Sequence, residues 1–138
     1  MAFWLYKSEP DVFSWDDLVN AGKAGTEWTG VRNYTARNHM RAMKKGDRGF
    51  YYHSGGEKAV VGIVEVVKEA HPDSTDDSGQ WDCVDIRAVK KLPKPVTLAD
   101  VKADPKLAEM ALVRFSRLSV QPVTEAEWKA VCGMDGRG

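Results

Sequence analysis

Residues 49–67, GFYYHSGGEKAVVGIVEVV, predict two neighbouring β-strands joined by a tight turn. Aromatic side chains dominate the first segment, 49–54, and β-branched side chains dominate the second, 59–67, and both residue types favour strands. The Gly55-Gly56 pair between them suits a hairpin turn. Residues 81–89 repeat a strand-like composition, so the three segments are expected to form a meander.

Two further strands are expected near the ends of the chain. Residues 3–7, FWLYK, are apolar and aromatic, and the following Ser8-Glu9-Pro10 would stop a strand. Residues 117–120 alternate in polarity and are closed by Pro122, which predicts a fifth strand.

Three helix starts carry the pattern of a capping box, in which a Ser or Thr is followed three residues later by an acidic residue. They are Ser14-Trp15-Asp16-Asp17, Thr97-Leu98-Ala99-Asp100 and Thr124-Glu125-Ala126-Glu127. Each pattern predicts a helix that begins just after its first residue.

A fourth helix is predicted between Asn33, as N-cap, and Gly46, as the stop. Its apolar residues recur at helical spacing, and a basic stripe follows the same period beside them. The apolar set is Ala36, Met40 and Met43, and the basic set is Arg37, Arg41 and Lys44. The N-terminus of this helix should attract anions.

The composition, 138 residues with 43% hydrophobic and 29% charged, predicts one globular domain over residues 1–135 and a flexible tail at 136–138. The elements predict an α+β domain, a curved mixed sheet of five to six strands or a small β-barrel with surrounding helices. A doubly wound nucleotide-binding fold is disfavoured because strands and helices do not alternate strictly and no Gly-rich phosphate loop occurs.

Several function classes are disfavoured by the same sequence. The longest apolar run, 59–67, is too short to cross a bilayer, so no membrane association is expected. The N-terminus lacks the pattern of a secretory signal, so we expect a cytoplasmic protein. Cys83 and Cys132 form no CxxC pair and the three histidines are scattered, so no metal is expected, and His39 and His71 should be surface residues.

The net charge is zero, yet the charges are segregated along the chain. Residues 32–48 hold six basic residues against one acidic residue, whereas residues 65–85 hold seven acidic residues against one lysine. This distribution predicts a molecule with one basic and one acidic face.

Trp28 lies in a loop between Gly25 and Gly30, directly before the basic helix. A tryptophan in this position can stack an unpaired base, while Arg32 and the helix terminus bind the flanking phosphate. The alternative is that Trp28 folds inward and anchors the loop to the core. The residues alone leave both interpretations open.

Polar residues at two strand ends are further candidates. Ser8 and Glu9 follow the first strand, and a carboxylate there can accept hydrogen bonds from a base amino group, although the pair is equally suited to making the turn. His53 and Ser54 do not form a hydrolytic pair, because adjacent strand residues point to opposite faces.

Five blocks of the sequence, in order along nearly the whole chain, together resemble the EVE domain. They are WLYKSEP at 4–10, SWDDL at 14–18, W-GVRNY-ARN within 28–38, YHS at 52–54 and SRLSVQPV at 116–123. The resemblance implies a PUA-like fold related to the PUA, ASCH and YTH domains. It also implies a non-catalytic reader of a modified base, such as a modified cytosine or adenine, in an aromatic-lined pocket.

The resemblance further assigns roles to residues. The expected base-binding residues are Ser8, Glu9, Trp28, Val31, Asn33, Asn38, Tyr52, His53, Ser54, Leu118 and Ser119. With the basic stripe of the predicted helix included, the expected phosphate-binding residues are Lys7, Arg32, Arg37, Arg41, Lys44 and Arg117. No catalytic residue, metal or cofactor is expected.

The expected partner is DNA or RNA with a modified base, bound by a monomeric bacterial protein that acts alone or beside a nuclease or another effector. One alternative function is an enzyme that processes a modified nucleoside or an RNA terminus, with His53 or Glu9 as general base. Another is a small-molecule sensor or protein-interaction module.

Overall fold

The structure is a computed structural model that describes residues 2–55 and 58–134. This part of the chain contains six β-strands, five α-helices and one short 3-10 turn. The strands are β1 (Phe3–Ser8), β2 (Thr26–Glu27), β3 (Arg48–His53), β4 (Ala59–Pro72), β5 (Asp82–Thr97) and β6 (Val120–Val123). The helices are α1 (Trp15–Asn20), α2 (Tyr34–Ala42), α3 (Leu98–Ala103), α4 (Ala111–Arg114) and α5 (Glu125–Met134), and the 3-10 turn is Pro105–Leu107.

All six strands belong to one mixed sheet with the order β2-β5-β4-β3-β1-β6. The antiparallel run β3-β4-β5 confirms the predicted meander. Strand β1 pairs in parallel with β3 and antiparallel with β6. Over residues 2–55 and 58–134 no ladder joins β2 to β6, so the predicted six-stranded α+β sheet is confirmed in its open form and not as a closed barrel. Gly56 of the predicted hairpin turn and the predicted tail at 136–138 lie outside the described residues.

The late strand predicted at 117–120 is present, but its predicted bounds are wrong, because the paired residues are Val120–Val123 and include Pro122. A proline is tolerated there because β6 is the outermost strand and pairs on one side only. Strands β4 and β5 also extend past their predicted ends at residues 67 and 89, to Pro72 and Thr97. The two-residue strand β2, paired with Ile86 and Asp85 of β5, is too short to leave a pattern in the sequence.

The predicted helix starts are confirmed by reciprocal side-chain to backbone hydrogen bonds. In the first, the Asp17 N–H donates to Ser14 Oγ at 3.1 Å and the Ser14 N–H donates to the Asp17 carboxylate at 2.8 Å. The same exchange links Thr97 with Asp100 and Thr124 with Glu127. Among the described helices, none has both the length and the apolar character needed to cross a bilayer.

Helix α2 begins where the sequence predicts, since the Ala36 N–H donates to the Asn33 side chain at 2.9 Å. It ends at Ala42 and not at Gly46. Gly46 has a φ of +94° and its N–H donates to the Val66 carbonyl at 2.8 Å, so this glycine makes the turn into β3.

The core consists of two clusters. Side chains of β1 point alternately to the two faces of the sheet, so successive β1 residues belong to different clusters. Trp4 and Tyr6 belong to an aromatic-rich cluster with Trp28 and Tyr51. Leu5 belongs to a second cluster, which is packed under α3, α4 and α5. Successive strand residues point to opposite faces, so the two clusters lie on opposite sides of the sheet.

Candidate functional site

The Trp28 side chain is anchored in the aromatic core. It directly follows β2, its N–H donates to the Val84 carbonyl at 2.8 Å, and the residue is only 9% exposed. Its indole packs edge-to-face against Tyr6, Tyr51 and Phe13, with centroid distances of 5.8, 5.6 and 6.4 Å. The inward-folding interpretation of this residue is therefore confirmed.

The same tryptophan also lines an open cavity of about 490 Å³, which we call the Trp28 cavity. Its wall is formed by Lys7, Ser8, Glu9, Val12, Phe13, Thr26, Glu27, Trp28, Thr29, Gly30, Val31, Arg32 and Ser119. The volume lies within the range typical of small-ligand sites, roughly 300–1,000 Å³. Anchoring and ligand access are thus compatible at Trp28.

Seven residues predicted from the sequence meet in this cavity. They are Ser8, Glu9, Trp28, Val31 and Ser119 of the base-binding set, with Lys7 and Arg32 of the phosphate-binding set. Sequence reasoning missed the other six lining residues, among them Val12, which is 75% exposed, and Glu27. Their chain positions beside Glu9 and Trp28 were the available signal.

The structure does not bring the whole predicted set to one place. Asn33, Arg117 and Leu118 line a second cavity of about 540 Å³, which shares no lining residue with the Trp28 cavity. Tyr52 and Ser54 line a pocket of about 110 Å³.

Asn38 and His53 are occupied by contacts elsewhere. The Asn38 side-chain oxygen accepts from the Arg37 guanidinium at 3.1 Å. His53 Nε2 accepts from the Trp15 N–H at 3.1 Å, at the start of α1. Burial lowers the pKa of His53, and the nearby Asp16 carboxylate only partly opposes this. Neither side chain lines the Trp28 cavity.

The prediction of separate basic and acidic faces is wrong, because the loop between β4 and β5 (residues 73–81, called the acidic loop) and the first residue of β5 lie against the basic stripe of α2. Arg41 pairs with Asp82 at 2.7 Å, and the Arg37 guanidinium donates to the Gln80 carbonyl at 3.1 Å. Arg37 also lies 4.8 Å from the centre of the Tyr34 ring. Much of the stripe is therefore engaged within the chain.

The other predicted cations differ in their contacts. Lys7 donates to the Ser116 carbonyl at 2.9 Å, and its pKa is lowered by burial and then by Lys58. Lys44 is exposed and lines neither large cavity. Arg117 is also exposed, and neither Arg117 nor Lys44 has an ion-pair partner among the described residues, so both are available to an external phosphate.

The rim of the Trp28 cavity is fixed by Asp73. This carboxylate accepts from the Gly30 N–H at 2.9 Å, from Arg32 at 3.2 Å, and from the N–H and hydroxyl of Thr75 at 2.7 and 2.6 Å. Burial alone would raise its pKa, but these hydrogen bonds outweigh burial and lower the pKa to about 2. The loop carrying Gly30 and Arg32 is thereby tied to the acidic loop.

Residues 2–134 match the EVE domain family. Thymocyte nuclear protein 1 of Homo sapiens is 35% identical to this chain over an alignment 164 residues long. The alignment covers 96% of this chain and 73% of the human protein. A crystal structure of an Agrobacterium tumefaciens protein is 60% identical, with a TM-score of 0.96 over 99% of this chain and 94% of that chain.

A crystal structure of the human THYN1 protein in complex with 5-methylcytosine-containing DNA is 35% identical to this chain. Its TM-score is 0.94, over 100% of this chain and 99% of that chain. These likenesses confirm the expected PUA-like fold.

Proposed function

This chain belongs to the EVE domain family, and we propose on that premise that it binds nucleic acid and holds one modified base in the Trp28 cavity. The preferred base in this proposal is a cytosine methylated at C5. The observation that carries the proposal is the convergence of Trp28 with five residues that can contact a base or phosphate, namely Lys7, Glu9, Val12, Val31 and Arg32. The human relative in complex with 5-methylcytosine-containing DNA supports it.

The cavity offers distinct chemistry for each part of such a base. The part of the Trp28 ring that lines the cavity supplies an aromatic wall, and the side chains of Val12 and Val31 supply apolar contacts for a 5-methyl group. Glu9 is exposed, and its carboxylate can accept a hydrogen bond from the cytosine amino group. Ser8 is a weaker reader, because its hydroxyl already donates to the Phe13 carbonyl at 2.7 Å.

A base in a duplex would have to leave the stack to reach this cavity, as in other proteins that hold a single extruded base. Arg32 at the cavity wall would meet the flanking phosphate, and Arg117 beside the second cavity would contact the backbone further along. Phosphate contacts then supply affinity, and the cavity supplies selectivity.

Recognition without catalysis is part of the proposal. The engagement of His53 with the Trp15 N–H, away from the cavity, disfavours this histidine as a general base. The identity of 60% to an Agrobacterium tumefaciens protein supports a bacterial origin. Monomeric action, a cytoplasmic location and cooperation with a nuclease or another effector stay predictions.

The test is a binding titration with fluorescently labelled DNA duplexes that differ only in one cytosine, unmodified or 5-methylated, at one fixed salt concentration. We expect the methylated duplex to bind about tenfold tighter or more, since one methyl group in an apolar pocket is worth about 1–3 kcal/mol. Single-stranded DNA and RNA of the same sequence establish which strand form is preferred. Equal affinity for methylated and unmethylated sites in every strand form would refute the methylcytosine assignment.

Two exposed valines provide a matched pair for the site. Val12 lines the Trp28 cavity and Val19, 49% exposed on α1, does not. We expect Val12→Asp to weaken binding to the methylated duplex at least about tenfold and Val19→Asp to leave it unchanged. Both positions are exposed, so neither change should unfold the protein. Equal effects of the two variants would place the binding site elsewhere.

A further inference from the structure

Four metal-ligating side chains from three strands meet at one point of the sheet. The register of β2 with β5 places Glu27 opposite Asp85, and the register of β4 with β5 places His71 opposite Cys83. One donor atom from each of the four lies within 4.8 Å of the others. The linear sequence could not show this group, because its members come from distant parts of the chain.

His71 is not the surface residue expected from the sequence, and its ring is held in a defined orientation. Its Nε2 lies 2.7 Å from Asp85 Oδ1, and its side chain is only 17% exposed. A histidine that gives one ring nitrogen to a carboxylate presents the other nitrogen as a ligand, which is the usual arrangement around protein-bound zinc. The other nitrogen is Nδ1, which lies 3.2 Å from the Pro72 carbonyl oxygen, so a bound ion would displace that contact.

Nδ1 of His71 completes a nearly equilateral triangle of donor atoms. It lies 3.8 Å from Glu27 Oε1 and 4.0 Å from Cys83 Sγ, and these last two atoms are 3.9 Å apart. Zinc bonds of about 2.0–2.3 Å in a tetrahedron place ligand atoms roughly 3.3–3.7 Å apart. A contraction of a few tenths of an ångström would therefore complete three ligand positions.

The electrostatic surroundings also suit a cation. Glu27 and Asp85 have no Lys or Arg ion-pair partner within residues 2–55 and 58–134, and each pairs only with His71. The second oxygen of Glu27 accepts from the Ser74 hydroxyl at 2.8 Å, which leaves Oε1 directed toward the group. Cys83 is fully buried, so its sulfur is accessible to the group and not to solvent.

We propose that Glu27, His71 and Cys83 bind one zinc ion, with Asp85 as the positioning residue for the His71 ring. Mixed nitrogen, sulfur and oxygen ligands favour Zn²⁺ over Mg²⁺ or Ca²⁺, which prefer oxygen ligands alone. The fourth position remains for water. Because Glu27 directly precedes Trp28, the ion would tie β2 to β4 and β5 and fix one wall of the Trp28 cavity.

The test uses the untagged full chain, freed of metal by a chelator and titrated with Co²⁺ as a spectroscopic substitute for Zn²⁺. We expect saturation at one ion per chain, a near-ultraviolet thiolate-to-cobalt charge-transfer band, and loss of that band when Zn²⁺ is added. Absence of the charge-transfer band at excess Co²⁺ would overturn the proposal and leave the hydrogen bond to Asp85 as the role of His71.

Variants separate the ligands from the positioning residue. Cys83→Ser should abolish the charge-transfer band, whereas Cys132→Ser, the matched control, should retain it. Asp85→Asn should retain the band but weaken Co²⁺ affinity about 10–100-fold, as expected for a partner of a metal-bound histidine. A band that persists in Cys83→Ser or vanishes in Cys132→Ser would contradict the assignment.

Thermal unfolding gives a second readout that does not depend on a buried variant. At a Zn²⁺ concentration about 100 times Kd, binding should raise the Tm of the wild-type chain by about 5–10 °C. Glu27→Gln, at a half-exposed position, should reduce this increase. An unchanged Tm of the wild-type chain with Zn²⁺, or the same increase in Glu27→Gln, would count against the site.

Discussion

The Arg32 guanidinium donates to the Asp73 carboxylate at 3.2 Å, across a separation of 41 positions in the chain. The same carboxylate oxygen accepts from the Gly30 N–H, two residues before Arg32. One buried acid thus holds both the backbone and the cation at the rim of the Trp28 cavity. A change at position 73 should disturb the cavity through Gly30 and Arg32, although Asp73 is not itself a lining residue.

Replacing Asp73 by Asn should lower the free energy of unfolding by about 1–3 kcal/mol at neutral pH, because buried donors lose a charged acceptor. The pKa of Asp73 is lowered to about 2, so its contribution is present above the unfolded-state pKa and disappears as the pH falls from about 4 toward 2. Urea titrations of both proteins across that range should show their stabilities converging. A constant gap would contradict the ionised role of Asp73.

Gly62 and Gly133 offer opposite outcomes for one substitution. A Cβ at Gly62 would overlap the Trp15 indole, whereas a Cβ at Gly133 in α5 would meet nothing within 4 Å. Gly62→Ala should cost about 1–3 kcal/mol through overpacking. Gly133→Ala should stabilise the chain by up to about 1 kcal/mol through helix propensity. Chemical denaturation measures the free energy of unfolding of both variants. If the two variants were destabilised by similar amounts, the packing explanation would be refuted.

Two arginines of the predicted phosphate-binding set should behave differently. Arg117→Ala should weaken binding to all DNA sequences alike and reduce the slope of log K against log salt by about 1. Arg41→Ala should reduce the slope less, because Arg41 is already paired with Asp82. Titrations at several salt concentrations test this contrast. A larger effect at Arg41 would restore the basic stripe of α2 as the main phosphate contact.

The free energy of unfolding should fall as the pH drops below the ordinary pKa of a histidine side chain, and His53 should contribute to this fall. Its pKa is lowered, chiefly by burial, so the unfolded chain takes up a proton more readily than the folded chain. Protonation would also remove the acceptor for the Trp15 N–H. We expect His53→Gln to show a smaller loss of Tm between pH 7 and pH 5 than the wild type. An unchanged pH dependence would contradict this role.

Local chemistry made much of the fold predictable. The Ser14 cap, the Asn33 cap and the β3-β4-β5 meander depend on residues close together in sequence, and each is found as predicted. The sequence places β6 too early, because a proline normally ends a strand, whereas an outer strand such as β6 can contain Pro122.

The candidate site was predictable only in part. Ser8, Glu9 and Trp28 were identified because strand ends and an unusual loop tryptophan mark them. The pairing of Arg41 with Asp82 and the meeting of His71 with Cys83 arise from the register of distant strands and helices, which no local pattern encodes. The positions of the charged residues are read from the sequence, but which of them form ion pairs depends on the fold.

The outer strand β6 has a bearing on self-association. Its Pro122 removes one backbone donor from a strand of only four residues, Val120–Val123. A further strand from a second copy would find few consecutive hydrogen-bonding groups there, so edge-to-edge growth into aggregates is discouraged at β6.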